Sequence, residues 1–400
     1  MNDIDSKATL TIHRGARQIG GCVTEIATGQ SRVFIDFGSD LPGSPSIGEP
    51  LAIDGLTCGD GSKSALFLSH YHTDHVGRLS EVMPDIPVYI GSTAKEMMLN
   101  IARRIDKEGE TTRLYEKINT FNALDIIKSG DISVTPLMID HSAFDAYMFV
   151  IEAGGKRILH TGDFRVHGPR GGKTFKMLRC YAPDIDYVIC EGTMLSRLDE
   201  KAKTEYTLQN EARIMMKENP YVFVLCSSTN IDRIAAFYHA NPNGRLFICD
   251  KYQKEQLTLI SVEHGHKSDF YDFKYVYSYA PNLDSLMEEK GFCMLVRTSH
   301  SFAGIMSKYR ENCLVIYSMW RGYLEGKAKN QALVDFLAPY EFKELHTSGH
   351  ATTKDLAELY NAVNPKIGLI PIHSEVPEKF KSIIPEDKII LLNDREPLSL

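Results

Sequence analysis

The chain has 400 residues, of which 43% are hydrophobic, so it can bury a large core and its composition excludes an intrinsically disordered protein. Its 45 basic and 52 acidic side chains give a formal net charge of −7, which excludes general coating of nucleic acid and leaves only local basic patches for such contacts. The first residues are polar, and no apolar run approaches the roughly 18 residues that span a bilayer, which predicts a soluble, cytoplasmic protein without a membrane partner.

The first predicted elements are short strands separated by glycines, a pattern that indicates an antiparallel opening to the fold. The strands are expected over 9–13, 22–27 and 32–37. Asp36 lies at the end of the third strand. Its carboxylate is expected to accept backbone hydrogen bonds and to support the loop that follows the next strand.

That next strand, expected over 64–69, leads into four possible metal ligands within six residues, namely His70, His72, Asp74 and His75. Residues two apart at the end of a strand point to the same side, so His70 and His72 can approach one ion. The turn that follows can bring Asp74 and His75 toward a second ion. Surface histidines beside a turn are the alternative, but the dense spacing favours a two-metal hydrolase site.

Two further strands end in possible ligands. The strand predicted over 132–139 leads to His141, and a His at the junction of two strands is well placed to be a third ligand. The strand over 157–160 leads to Asp163 through a glycine turn, which is expected to leave the carboxylate exposed and able to bridge two cations. A turn-capping aspartate is the alternative for Asp163.

A basic stretch follows, because residues 164–181 contain no acidic side chain. Its cations are Arg165, Arg170, Lys173, Lys176 and Arg179. A solvated loop and a rim that attracts phosphate groups are both compatible with this pattern.

After a strand that ends at Glu191, helical and strand patterns alternate from 205 to 262, which predicts a parallel α/β layer. Trp320 follows the strand expected over 313–318. It could stack on a base or a sugar, although a single Trp more often belongs to a core or an interface.

Near the end, Ser348 and His350 precede a helix predicted over 354–363, and a buried strand then ends at His373. Singly, each histidine would more often be structural than functional. Their position after strands is nevertheless where ligands occur.

Taken together, the His-x-His-x-Asp-His run, His141, Asp163 and His373 resemble the ligand set of the metallo-β-lactamase superfamily, and the resemblance covers nearly the whole chain. Within it, Glu191, the long insert and the run 346–351 are similar to the β-CASP nucleases, most closely to the ribonuclease J type. The resemblance implies an α/β fold, a metallo-β-lactamase αββα sandwich with an inserted β-CASP-like parallel α/β domain. The sandwich is expected over 1–194 and 341–400, and the insert over 195–340.

The resemblance also implies a role for each site residue. One zinc ion would be held by His70, His72 and His141, and the other by Asp74, His75 and His373, with Asp163 as the bridge. Manganese suits the same donors. The catalytic residues would be Asp74, Asp163 and His350, the last assisting the leaving group or the scissile phosphate.

The expected substrate is a single-stranded nucleic acid, RNA or DNA with RNA favoured, lying in a cleft between the metal domain and the insert. Its contacts are expected from Ser348, which the resemblance makes a phosphate ligand, and from Arg165 and Trp320. A small-molecule metallo-hydrolase acting on a lactone, a thioester or a small phosphodiester is the alternative, and a binding protein with a metal site but no catalysis is a third possibility.

The sequence departs from the ribonuclease J pattern in two respects. Cys22 replaces the more usual Asn after Gly20-Gly21, and only 27 residues follow His373 in this sequence, so the carboxyl-terminal domain of that family is not expected in it. The oligomeric state is therefore left open.

Overall fold

The computed structural model describes residues 7–42, 44, 50–197 and 202–400. The described residues form two compact units, one within Met1–Val166, Arg170–Glu200 and Gly349–Leu400, and the other within His167–Pro169 and Lys201–Ser348. Across these described ranges, no helix has both the length and the apolar character needed to cross a membrane.

The strands and helices of the described residues alternate along most of the chain. The strands are β1 (Thr9–Arg14), β2 (Val23–Ala27), β3 (Arg32–Ile35), β4 (Ser64–Phe67), β5 (Val88–Gly91), β6 (Asn119–Phe121), β7 (Ile127–Ser129), β8 (Ile132–Ile139), β9 (Ala146–Ala153), β10 (Lys156–His160), β11 (Tyr187–Glu191), β12 (Tyr221–Leu225), β13 (Leu246–Cys249), β14 (Val276–Ser278), β15 (Phe292–Val296), β16 (Cys313–Tyr317), β17 (Phe342–Glu344), β18 (Gly368–Ile372) and β19 (Pro397–Ser399). The helices are α1 (Thr73–Val76), α2 (Ser92–Ile105), α3 (Glu110–Glu116), α4 (Thr174–Tyr181), α5 (Glu205–Glu218), α6 (Ile231–Ala240), α7 (Lys251–His264), α8 (Asp284–Lys290), α9 (His300–Ser307), α10 (Gln331–Leu337) and α11 (Thr353–Val363).

The first unit contains two sheets. One has the order β19-β1-β2-β3-β4-β5-β6, and the other has the order β18-β11-β10-β9-β8-β7. The pairs β1–β2 and β2–β3 are antiparallel, which confirms the predicted opening, whereas β3 and β4 are parallel. In the second sheet, β10, β11 and β18 run parallel, so their carboxyl ends meet at one edge.

An apolar core fills the space between the two sheets, with Ile26 and Phe67 from the first sheet and Phe149 and Ile370 from the second. A second core packs the outer face of the second sheet against α4 and α11. On the first sheet, α2 packs against β5 and β6 and buries its methionines. This arrangement of helix, sheet, sheet and helix confirms the predicted sandwich.

The second unit contains a parallel sheet with the order β14-β13-β15-β12-β16-β17. Helices connect these strands, as the alternating pattern predicted. β17 pairs with β16 as an edge strand, so residues 341–348 belong to the second unit rather than to the carboxyl-terminal segment that the sequence assigned to the sandwich.

Candidate metal centre

The site of the first unit is assembled from loops that follow strand ends. The loop after β4 carries His70 and His72, the loop after β8 carries His141, and the parallel strands β10, β11 and β18 lead to Asp163, Glu191 and His373. Asp74 and His75 lie on α1, one helical turn that takes the place of the predicted simple turn. Side chains from both sheets therefore converge on one place.

His70, His72 and His141, which we call the histidine triad, bring their ring nitrogens within 4.8 Å of one another. His141 Nε2 lies 3.2 Å from His72 Nδ1. His70 Nε2 is buried and has no hydrogen-bond partner among the described residues. Because an unsatisfied buried polar group is unfavourable, this nitrogen fits a site in which a cation is its partner.

Asp74, His75, Asp163 and His373, which we call the mixed set, also lie within 4.8 Å of one another. His75 Nε2 is 3.8 Å from Asp74 Oδ2 and 3.1 Å from Asp163 Oδ2, and His373 Nε2 is 3.4 Å and 3.6 Å from the same two oxygens. Ligands at about 2.1 Å from a tetrahedral ion are roughly 3.4 Å apart. The donor atoms of the mixed set therefore fit a zinc-sized ion, and nitrogen and oxygen donors also suit manganese.

Asp36 supports both groups from behind. Its carboxylate accepts hydrogen bonds from Ser69 N at 2.7 Å, from Ser69 Oγ at 2.8 Å and from His75 Nδ1 at 2.8 Å. Ser69 Oγ in turn lies 3.0 Å from His70 Nδ1. Asp36 has φ 62°, a strained value for a residue other than Gly. These contacts confirm the supporting role that the sequence predicted for Asp36.

Two further rings, those of His141 and His373, are also oriented through their second nitrogen. His141 Nδ1 donates to the Gly349 carbonyl oxygen at 2.6 Å, and His373 Nδ1 is hydrogen-bonded to Thr193 Oγ1 at 2.8 Å. Such bonds fix the tautomer and turn the other nitrogen toward a metal. The sequence analysis missed Thr193, although its place just after β11 is the signal that marked the ligands.

Gly38 is required by the close approach of two loops. A Cβ atom at this position would lie 1.6 Å from the carbonyl oxygen of Asp74. Any other residue would displace the Asp74–His75 turn, and these two side chains would then move away from Asp163 and His373. The sequence placed Gly38 only at the end of a strand.

Charge differs between the two groups of ligands. Burial, together with neighbouring histidines, holds the pKa of His70 and His141 well below the usual value, and burial lowers the pKa of His72 to about 4. The triad is therefore neutral near pH 7 and its nitrogens can accept a cation.

In the mixed set, burial disfavours the protonated form of His75 and the ionised form of Asp163, but the oppositely charged groups that face each side chain have the larger effect. Burial would lower the pKa of His75, yet Asp163 and Asp36 raise it well above its usual value. Burial would raise the pKa of Asp163, yet His373 and His75 lower it. The carboxylates therefore stay ionised.

Asp163 corrects one expectation. The sequence predicted an exposed carboxylate, whereas the side chain is 2% exposed because His75, His373 and His350 from other segments lie around it. The buried carboxylate still lies within reach of a cation held by the mixed set, so its burial does not argue against the predicted role as a metal ligand.

Glu191 and His350 form a pair at the edge of the mixed set. His350 Nδ1 donates to Glu191 Oε2 at 3.1 Å and lies 3.7 Å from Asp163 Oδ2. Burial would lower the pKa of His350, but Glu191 and Asp163 raise it. Glu191 also accepts a hydrogen bond from Phe164 N at 2.9 Å. His350 is thus a partly exposed imidazole beside the mixed set.

Arg165 does not have the position expected of a substrate contact. It is fully buried, and its Nε donates to Asp140 Oδ1 at 2.9 Å. The charge run in the sequence could not show this, because the burial depends on a distant partner. Of the other cations in the basic stretch, Lys173, Lys176 and Arg179 are exposed.

Ser348 and Trp320 lie in the second unit. The Ser348 carbonyl oxygen accepts a hydrogen bond from His167 Nε2 at 2.8 Å. Trp320 follows β16, is partly exposed, and contacts Tyr323 edge to face at 5.5 Å between ring centroids. The structure therefore brings the seven predicted ligands and His350 together in the first unit, whereas the predicted contacts Ser348 and Trp320 are outside it.

Comparison with known proteins adds two family matches. The sequence model of the metallo-beta-lactamase superfamily matches residues 35–220, and that of the Zn-dependent metallo-hydrolase RNA specificity domain matches residues 340–381. The second match contains Ser348, His350 and His373.

Curated relatives include ribonuclease J of Helicobacter pylori, which is 24% identical over 100% of this chain and 62% of its own length. Ribonuclease J of Mycobacterium tuberculosis is 24% identical over 90% of this chain and 67% of its own length. The chain thus spans about three fifths of the length of the H. pylori relative. A solved structure of a protein of unknown function from Enterococcus faecalis covers 99% of this chain with a TM-score of 0.79 and 24% identity, which supports the fold.

Proposed function

Because this chain belongs to the metallo-β-lactamase superfamily and also matches an RNA specificity domain, we propose that it is a metal-dependent ribonuclease that hydrolyses phosphodiester bonds of single-stranded RNA. The observation that carries the proposal is the convergence of the histidine triad and the mixed set, whose donor spacing suits two metal ions. The ribonuclease J relatives support RNA as the substrate class.

The triad would hold one ion and the mixed set the other, with Asp163 as the residue shared between them. Two zinc ions bound there would lower the pKa of an attacking water and stabilise negative charge on the phosphate. Every other contribution comes from the chain itself. Asp36, Thr193 and the Gly349 carbonyl keep the imidazoles in the required tautomers.

His350 is proposed to donate a proton to the leaving oxygen. Its Nδ1 proton is held by Glu191, and Nε2 is the atom proposed to exchange a proton with the substrate. The side chain is 21% exposed, which allows contact with a phosphodiester. Positioned acid catalysis typically contributes about a hundred- to ten-thousand-fold.

Ser348 and Trp320 are proposed as substrate contacts of the second unit. A serine hydroxyl can donate to a phosphate oxygen, and an indole can stack on an unpaired base. Stacking on bases would favour single strands over duplexes, because bases in a duplex already stack on each other.

The test is cleavage of end-labelled RNA and DNA oligonucleotides by metal-loaded protein, each supplied with a 5′-phosphate or a 5′-hydroxyl. Cleavage of single-stranded RNA is expected, and Asp163→Ala should abolish it. Asp387→Ala, which removes an exposed acid from the same unit, is the matched control and should keep full activity.

A lactone and a nitrocefin-like substrate complete the experiment. Faster turnover of either compound than of any oligonucleotide would contradict the proposal and favour a small-molecule hydrolase. Preferred cleavage of single-stranded DNA would be compatible with the proposed metal site but would contradict RNA as the substrate.

A further inference from the structure

Asp140 and Arg165 form a buried ion pair beside two residues of the candidate metal centre. Both side chains are 0% exposed, and Arg165 Nε donates to Asp140 Oδ1 at 2.9 Å. Asp140 directly precedes His141 of the histidine triad, and Arg165 follows shortly after Asp163 of the mixed set. The pair therefore joins the segments that carry one ligand of each group.

The backbone joins the same two segments. β8 and β10 are not neighbours, because β9 lies between them in the sheet. Beyond the ends of these strands, however, Asp140 and Arg165 form an antiparallel bridge, in which Arg165 N donates to the Asp140 carbonyl oxygen at 2.8 Å. The segments that follow β8 and β10 thus contact each other directly beyond the start of β9, and the ion pair is formed by the same two residues as this backbone bridge.

Arg170 holds the same carboxylate from a second direction. Its backbone N donates to Asp140 Oδ2 at 3.2 Å, and its Nη2 donates to the His141 carbonyl oxygen at 3.2 Å. Its guanidinium lies 4.6 Å from the centroid of the Phe144 ring. Both oxygens of Asp140 are therefore engaged, and the backbone of His141 is held as well as its ring.

We infer that the Asp140–Arg165 pair is a positioning element that sets the distance between the two metal positions. The inference rests on the proposed two-metal site. Burying two charges adds little net stability compared with apolar residues of similar size, but it fixes one geometry, because either charge would be left without its partner if the segments moved apart. A displacement of about 1 Å is enough to impair a ligand set.

The test compares Arg165→Met with Arg233→Met. Arg233 forms an ion pair of the same length and burial with Glu205, 2.9 Å and 0% exposed, but it belongs to the second unit and neither residue precedes or follows a predicted ligand closely in the sequence. Metal-free proteins would be titrated with zinc in competition with a chromophoric chelator, and metal content would be measured by elemental analysis. Thermal unfolding would be measured in parallel, with kcat and KM on RNA.

Arg165→Met is expected to lower the affinity for one of the two zinc ions by about 10- to 100-fold, the range typical for residues that orient metal ligands. It should lower kcat more than KM. Arg165→Lys should recover part of the affinity, because Lys can form one ion pair with Asp140. Arg233→Met should destabilise the protein but bind both equivalents with the affinity of the wild type.

A folded Arg165→Met protein that binds both equivalents as the wild type does would overturn the inference. Should Arg165→Met fail to fold, Asp140→Asn provides the same comparison, because it keeps an acceptor oxygen but removes the charge, and unchanged zinc affinity in that variant would also overturn it. A wild-type protein that takes up no metal would overturn the proposed function, and the inference with it.

Discussion

The two units each bury a group of charged side chains, and the two groups differ in how their charges are balanced. In the second unit, Arg233 meets both oxygens of Glu205 at 2.9 Å and donates further hydrogen bonds to Ser318 and to the Thr347 carbonyl oxygen. In the first unit, carboxylates and imidazoles face one another with their donor atoms 3.1–3.8 Å apart.

The difference separates a group whose charges are balanced within the protein from a group whose donor atoms fit an added cation. The charge of Arg233 is matched inside the protein, so the group needs no further partner. The ligands of the first unit instead leave His70 Nε2 without a partner among the described residues and turn several lone pairs toward one point. Such an arrangement is satisfied by an added cation.

The largest effect is expected from removing the carboxylate of Asp163, which belongs to the mixed set. Asp163→Ala should reduce RNA cleavage by more than roughly 10,000-fold, the scale seen when a central catalytic residue is lost. The sandwich core does not involve this side chain, so far-UV circular dichroism should stay unchanged. Retained activity in a correctly folded Asp163→Ala protein would show that the mixed set is not the active site.

A smaller loss is expected from His350→Ala, because His350 contacts the ligands without belonging to either set. Turnover should fall by about 100- to 10,000-fold while metal content stays the same. His266→Ala removes an exposed histidine of the second unit and should change neither quantity. Loss of metal from the His350 variant would mean that His350 is a ligand instead of a proton donor.

The balanced pair should respond as a structural group. Arg233→Met alone is expected to lower the free energy of unfolding by about 3–5 kcal/mol, because it removes the positive charge that faces the buried carboxylate of Glu205. Adding Glu205→Leu should restore most of that stability. The fluorescence of Trp320, the only tryptophan of the sequence, would follow urea unfolding of the second unit. An unchanged unfolding midpoint in Arg233→Met would contradict a structural role for the Arg233–Glu205 pair.

The smallest effect concerns Glu25, a partly balanced charge on the first sheet. Burial would raise its pKa, but hydrogen bonds from His13 at 2.7 Å and Arg32 at 2.6 Å lower it. Its ionised form therefore stabilises the fold above about pH 4.3, the pKa of an unfolded Glu, and the contribution is lost as the pH falls through the lower folded pKa.

Glu25→Gln should accordingly destabilise the protein at pH 7 by roughly 1–2 kcal/mol. Urea unfolding measured from pH 7 to pH 3 should show the difference between variant and wild type shrinking at the acidic end. A difference that stays constant over this range would argue against an ionic contribution from Glu25.

Much of the fold followed from local patterns. Hydrophobic alternation predicted β8 over the residues observed, and the end of a strand marked the ligand loops after β4, β10 and β18. Strand ends were informative because parallel strands bring their carboxyl ends to one edge.

What the sequence could not show depends on distant partners. Arg165 belongs to a run of cations, and only its contact with Asp140 reveals that it points inward while Lys173 and Lys176 point to solvent. The burial of Asp163 likewise depends on ligands from other loops. The place of Thr193 after β11 indicates only that it lies near the predicted ligands, and its role, like that of Ser69, is identified once the ring that it orients is in place.

The central claim is that the converging side chains of the first unit hold two metal ions. Titration of metal-free protein with zinc or manganese, followed by elemental analysis after removal of free metal, tests it most directly. We predict about two equivalents per chain, with a loss of one or both in His70→Ala and in His373→Ala. No uptake by the wild-type protein, or equal uptake by these two variants, would contradict the claim.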